Sequence, residues 1–361
     1  VNTQSFIQSV WLVTGREIGS KLRSKAFLIS TGILFALALI GVIWAGVAAD
    51  SDSRTPVAVT PETAAVVAQL DDVVETTEVA SVAEARDLVS SGEVDAALVP
   101  GGADPFGYTL ISEDSVPTTL VSLLSVSPEA ELLTTDTVGE QLRYFIAIAF
   151  GAVFFIAALT FGSTIASSVV EEKQTRVVEL LISAISTRAL LAGKVLGNTI
   201  LAMGQILGIA AIAMIGLAVT DQGELLGGIG APIGWFAVFF LFGFILLAAL
   251  YAAAGATVSR QEDIGSTTMP LTILVMAPYF LVIFFNDNPA VMTLMSYIPF
   301  SAPVGMPVRI FVEEAQWWEP FLSLVILLAS CVVAIFVSAK IYQNSILRMG
   351  ARVKLAEALK S

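Results

Sequence analysis

The only Gly-Lys pair in the chain, Gly193–Lys194, is its nearest approach to a nucleotide-handling motif. A phosphate loop needs Gly-x-x-x-x-Gly-Lys-Ser/Thr, because backbone N–H groups cradle the phosphates, the lysine contacts them and a hydroxyl holds magnesium. Here Val195 follows the lysine and Arg188 stands where the first glycine is required. The chain therefore offers no nucleotide site of this kind. It has no histidine, which removes imidazole acid–base chemistry and the commonest metal ligand. Its single cysteine, Cys331, lies in an apolar run, so no intramolecular disulfide is possible. An intramembrane hydrolase wants His, an Asp pair or an accessible Cys, and the apolar segments supply none of them. The expectation is a chain with no catalytic residues, no metal and no cofactor of its own.

What remains is a charged, amphipathic insert, SSVVEEKQTRVVELLISAISTRALLAGK, at 167–194. Drawn as a helix it carries Val170, Val177, Val178, Leu181, Ile182 and Ile185 on one stripe, with Glu172, Arg176, Glu179 and Ser183 opposite. Glu172 precedes Arg176 by four residues, the favourable order for a helix-stabilising pair worth about 0.3 kcal/mol. This pattern suits a helix lying along a surface, either lipid or a partner protein. It also suits a plain connector between two membrane spans.

The elements around the insert decide where it lies. Of 361 residues, 56% are hydrophobic and only 14% charged, and the mean hydropathy of +0.84 is that of an integral membrane protein. Six apolar windows are long enough to span a bilayer, at 26–49, 143–167, 195–220, 232–258, 269–285 and 321–342. The first ends in small residues that resemble a signal cleavage site, but its apolar run is too long for a signal core and reads as an uncleaved anchor. With a cytoplasmic N-terminus, six crossings place 14 of the 18 Lys and Arg residues inside, leaving Arg54, Arg86, Arg143 and Arg309 outside. By the same topology 24 of the 31 acids lie outside, 18 of them between positions 50 and 140. The net charge of −13 thus belongs mostly to one segment. Both termini and the insert are expected in the cytoplasm, in a multi-pass protein of the plasma membrane.

The expected fold class is an all-α polytopic membrane protein of six transmembrane helices, with an extracytoplasmic α/β domain at 50–142 between the first and second spans. In that domain PVAVT, VDAALVP and YTLIS read as strands, and SVAEARDLVSSGE as a helix that opens with a Ser81/Glu84 capping box and closes at Gly92. Its acidity fits either a cation-attracting vestibule or a solvated surface. The segment 286–320 carries Pro289, Pro299, Pro303 and Pro307, too many for a span, so short external helices are expected there with Trp317 and Trp318 at the interface. Arg309 is expected to pair with nearby Glu313 or Glu314. No ionisable residue falls deep within the six windows, which argues against an intramembrane proton relay. Asn198 and Gln205 lie seven apart on one face of the third span, facing a translocation path or a neighbouring subunit.

The run VVEEKQTRVVELLISAISTRALLAGKVLGN resembles the cytoplasmic segment of type-2 ABC exporter permeases, in the branch that includes sodium-efflux permeases. REIGSKLRSKAFLIS before the first span, YIPFSAPVGMPVRI before the last and IYQNSILRMGARVKLAEA at the end are similar to the same family in order and position. The resemblance implies a transmembrane subunit that exports an ion, drug or peptide, with ATP bound and hydrolysed by a separate nucleotide-binding subunit. A second copy or a related permease would complete the assembly in the lipid bilayer, and no nucleic acid is involved. Segment 1–25 would be an interfacial elbow helix, which its own composition supports: Phe6, Val10, Trp11 and Ile18 stand beside Arg16, Lys21, Arg23 and Lys25. The coupling helix would occupy about 171–182 of the cytoplasmic loop 168–194. Glu171, Glu172, Arg176 and Glu179 would then make polar contacts with the ATPase, and Val177, Val178 and Leu181 would fill its groove. Segment 286–320 would be a re-entrant hairpin, and 343–361 a cytoplasmic tail. A rival reading is a membrane receptor or assembly factor whose acidic outer domain binds a ligand or partner.

Overall fold

Ser5 opens helix α1 (Phe6–Leu22) with a reciprocal capping box, its hydroxyl accepting from the Gln8 N–H while the Gln8 side chain accepts from the Ser5 N–H. The computed structural model describes residues 5–50, 55–67, 74–101, 107–113, 120–121, 124, 140–219, 223–348, 350 and 353–360. One face of α1 buries Val13, Thr14 and Glu17, and the other leaves Phe6, Ile7, Trp11 and Leu12 exposed. That division is the one an interfacial helix needs. Helix α2 (Lys25–Asp50) follows after a short turn, with Leu28, Ile29, Ile33, Leu37 and Ile40 all exposed.

Residues 47–135 form a separate unit. It contains β1 (Thr55–Val59), α3 (Ala64–Val67), β2 (Val74–Glu78), α4 (Val82–Ser90), β3 (Ala96–Pro100) and β4 (Tyr108–Ile111), in the sheet order β2-β1-β3-β4. β1 runs parallel to β2 and β3, and β4 closes antiparallel to β3. Alternation along the strands feeds two cores, Val57, Val59 and Leu98 on one face and Ala58, Ala97 and Val99 on the other. Ala85 and Val89 of α4 pack on the second face. Ser81 caps α4 by accepting from the Glu84 N–H, but the Glu84 carboxylate accepts from Ala80 rather than Ser81, so the expected box is not fully reciprocal. Gly92, with φ of 73°, ends the helix as a left-handed residue. Three strands match the apolar runs read from sequence. The fourth, VETTE of β2, is an edge strand with only Val74 buried, so it carries no apolar alternation to read.

The helical unit continues with α5 (Glu140–Gln174), α6 (Val177–Ala184), α7 (Thr187–Val219), α8 (Gly223–Ala256) and α9 (Ile264–Phe284). Two short helices, α10 (Pro289–Tyr297) and α11 (Ala302–Phe311), precede α12 (Glu319–Ser345), and α13 (Leu355–Lys360) ends the described chain. Among the described residues, α2, α5, α7, α8, α9 and α12 are long and apolar enough to cross a membrane. The chain is thus an all-α polytopic membrane protein carrying a small α/β unit. Several helices run past their apolar windows, α5 through Gln174 and α7 back to Thr187, because backbone hydrogen bonding continues through charged residues of good helical propensity. The α5–α8 seam is aromatic: Phe150 meets Phe236 at 4.8 Å between centroids, Phe154 meets Phe240 at 5.8 Å and Phe161 meets Phe244 at 5.6 Å. At its lower end Gly255 lets α8 touch the backbone of α5, since a Cβ there would lie 2.7 Å from the Ala166 carbonyl oxygen.

Candidate functional site

The insert is not one helix. α5 carries Glu171, Glu172 and Lys173 to its end at Gln174, and the chain then breaks at Arg176, which adopts φ of 58°, the left-handed region a non-glycine residue rarely enters. Thr175 donates its hydroxyl to the Glu171 carbonyl at 2.7 Å, closing the turn. Only Val177–Ala184 forms the short helix α6. The single helix expected over about 171–182 is therefore corrected: Glu171 and Glu172 belong to the span, and the Glu172–Arg176 pair does not form. On α6, Val178 is buried at 2% exposure, and Leu181, Ile182 and Ile185 pack partly against the bundle. Val177, Glu179, Leu180 and Ser183 face outward, with Leu180 74% exposed. Val178 and Leu181 thus belong to the inner face, whereas the sequence pattern does not single out Leu180.

Glu172 points instead into a buried charge cluster. Lys194, fully buried on α7, donates to Glu17 of α1 at 2.8 Å, to Glu172 at 3.3 Å and to the Ser168 hydroxyl. Arg16 bridges Glu17 at 3.1 Å and also pairs with Glu172. Two cations and two carboxylates cancel, which is the condition for burying them. Burial acts to raise the Glu17 carboxyl, but the Lys194 charge and hydrogen bonds from Lys194 and Arg16 outweigh it and hold Glu17 below its ordinary range. The helices come close enough because α7 presents glycines. A Cβ at Gly193 would lie 2.5 Å from the Val13 Cβ, and the Thr14 hydroxyl donates to the Gly193 carbonyl at 3.2 Å. A polar cavity of about 460 Å³ opens beside the cluster, bounded by Lys21, Ser24, Thr164, Ser168 and Glu171.

Lys173 sits three residues before the break and is fully buried. Its ammonium donates to the Ala256 carbonyl at 2.8 Å and to the Ser345 carbonyl at 2.9 Å. Ala256 and Ser345 are the last residues of α8 and α12, where carbonyls lack helical partners and the dipole favours a cation. One side chain thereby ties the ends of α5, α8 and α12 together beside the hinge from which α6 departs.

A family profile described as ABC-2 family transporter protein matches residues 25–340. The chain belongs to the ABC-2 transporter family. It is similar to the uncharacterized protein YhaP of Bacillus subtilis, 29% identical over 210 residues, covering 55% of this chain and 50% of that protein. It is also similar to the uncharacterized protein MJ1024 of Methanocaldococcus jannaschii, 26% identical over 222 residues, covering 61% of this chain and 54% of that one. The chain thus spans about half the length of these curated relatives. No solved structure matches it.

The remaining candidate residues of this family member are placed as follows. Asn198 is buried on α7, its amide donating to the Lys194 carbonyl at 2.9 Å, and Gln205 is half-buried two turns further along. Arg309 pairs through its side chain with Glu319 at 2.8 Å, not with Glu313 or Glu314, and reaches only the backbone carbonyl of Glu314. The Glu314 carboxylate is taken by Arg143 at 3.3 Å. The expectation fails because α11 ends at Phe311 and the turn after it carries Glu314 away while bringing the first residue of α12 back over Arg309. Glu17, Lys173 and Lys194 were not legible as a site, since each reads singly as one more charge near a membrane surface. Lys173 and Lys194 lie on α5 and α7 just beyond the apolar windows, so the helices carry charge at this end without placing it deep in a window.

Proposed function

We propose that this ABC-2 permease is the transmembrane subunit of an ATP-driven exporter, whose nucleotide-binding partner docks on the outward face of α6. The observation that carries the reading is the isolation of that helix. α6 is set off from α5 by a left-handed residue and presents Val177, Glu179, Leu180 and Ser183 outward, while Val178 anchors it inward. An exposed apolar residue rimmed by polar ones is the form of an interface anchor. Movement imposed on α6 has a direct route into three spans through Lys173 and into α1 and α7 through the Glu172–Lys194–Glu17 cluster.

In this reading ATP is bound and hydrolysed by the partner, and the permease pairs with a second copy or a related chain. α6 and both termini face the cytoplasm, in line with the distribution of Lys and Arg. The cargo class is an ion or small molecule, with sodium, drugs and peptides the candidates that the sequence resemblance suggests. Asn198 and Gln205 are the polar residues of α7 that a translocation path has available: the Asn198 N–H donates to its own helix, but its Oδ1 is buried without a partner among the described residues. The test is ATPase stimulation of the purified complex across a panel of sodium, cationic drugs and peptides, in wild type and in Leu180→Glu. Cargo-dependent stimulation that the substitution abolishes supports the reading. A flat response, with no ATPase retained by either chain, contradicts it and favours a receptor role for the α/β unit.

A further inference from the structure

We infer that the groove between α1, α7, α8 and α12 is a seat for one anionic phospholipid, its phosphate held by Arg188 and Lys340 and an acyl chain laid along the apolar wall. The groove encloses about 780 Å³, within the range of small-molecule sites. Its lining is sorted by polarity. α7 contributes Arg188 at its first turn and then Leu191, Val195 and Leu196, a run of nine residues and about 12 Å of helix from first to last. α12 runs through the same groove toward its own end, contributing Ile335 and Phe336 first and then Lys340, Gln343 and Asn344. α7 begins and α12 ends at the same side, so both cations and both amides gather at one mouth while the aliphatic and aromatic residues gather at the other. This is the polarity of a phospholipid, one charged end and one apolar end.

The charges are available to a ligand. Among the described residues neither Arg188 nor Lys340 has an ion-pair partner, whereas Lys194 and Arg309 both do. Arg188 and Lys340 are exposed, and Phe336, 73% exposed, continues the apolar wall onto the outer surface of a helix apolar enough to cross a membrane. The groove therefore opens toward lipid, and a molecule diffusing in the leaflet reaches it without leaving the bilayer. A basic mouth above an apolar wall selects anionic over zwitterionic headgroups by charge complementarity. Phe6 at the start of α1 also lines the groove, so an occupied seat bears on the helix that holds Glu17 against Lys194. The inference is independent of the direction of transport and of the identity of the cargo.

The test is native mass spectrometry of the intact chain, with any ATPase that copurifies, titrated with phosphatidylglycerol or phosphatidylcholine. Wild type is expected to retain one phosphatidylglycerol in clear preference. Arg188→Gln and Lys340→Gln should each weaken that retention about fivefold, equivalent to about 1 kcal/mol per basic residue, and the double variant should abolish the preference. Ala339→Trp keeps both charges but fills the groove, and should displace the lipid. Should the variants fail to fold, a photoactivatable phosphatidylglycerol added to wild type is expected to cross-link within 188–196 and 335–344. Equal retention of the two lipids, an unchanged preference in the double variant, or cross-links confined elsewhere would overturn the inference. So would competition by inorganic phosphate at the same concentration as the lipid, because the apolar wall would then contribute nothing.

Discussion

Lys194 and Glu17 stand 177 positions apart in the chain and share a buried ion pair at 2.8 Å. The pair joins α1 to α7 across a contact made close by Gly193, and Glu172 brings the end of α5 into it at 3.3 Å. Removing one partner of such a cluster leaves an uncompensated buried charge, which typically costs about 3–5 kcal/mol. Lys194→Met should therefore lower the thermal midpoint in detergent by many degrees. Adding Glu17→Gln and Glu172→Gln to the same chain should recover much of the loss. Equal melting of wild type and the single variant would mean that the cluster does not hold α1 in place.

The same pair makes a pH prediction. Glu17 is held below the ordinary glutamate value of 4.5, so its stabilising effect is fully present above that value. It is lost as the pH falls through the depressed folded-state value. Local opening of residues 6–22, read from hydrogen exchange after correction for its intrinsic pH dependence, should be flat from neutral pH down to about 4.5 and rise only below it. Glu17→Gln should lack that acid step. A rise in wild type between pH 7 and 6 would show that another group controls the attachment of α1.

What the sequence revealed and concealed follows the range of each interaction. The six spans and the strands β1, β3 and β4 rest on local runs of apolar residues, and these were readable. The break at Arg176 was not, because Glu171 to Ile182 has continuous helical periodicity and contains neither Gly nor Pro. Only the pull of Arg16 and Lys194 on Glu172, and of the Ala256 and Ser345 carbonyls on Lys173, shows why the two halves of the insert face different ways. Arg16, Ala256 and Ser345 are distant in sequence, and Lys194 stands at the far end of the insert, 22 positions from Glu172. The exposed Leu180 escaped for a related reason: the stripe through Val178, Leu181 and Ile185 is real, but it is the inner face of α6.

Arg309 and Glu319 offer a second buried pair, at 2.8 Å, between α11 and α12. Glu319 also accepts from the Tyr297 hydroxyl at 3.1 Å and the Gln316 N–H at 2.9 Å, so it organises the whole turn. Arg309→Met and Glu319→Gln should each destabilise the packing of α11 on α12, by about 3 kcal/mol or more for the arginine. The double variant should fall well short of the sum, because both changes break one interaction. Strict additivity in a thermal-melt cycle would separate the two residues energetically.

The proposed coupling role of α6 rests on its two faces. Val178→Asp attacks the inner face and should lower stability whether or not a partner is present. Leu180→Asp attacks the outer face and should leave the isolated chain folded while weakening ATPase association at least about thirtyfold, the effect of losing an interface anchor worth 2 kcal/mol.

The most direct measurement is a cross-link from that position. Cys331 is the sole cysteine and is buried, so Cys331→Ser with Leu180→Cys gives a chain with one accessible thiol. Purified with its ATPase and treated with a short thiol-to-amine cross-linker, this chain should join to the nucleotide-binding subunit, and the yield should change between ATP-bound and nucleotide-free states. A thiol that labels freely and identically with and without the ATPase, and never joins to it, would contradict the account.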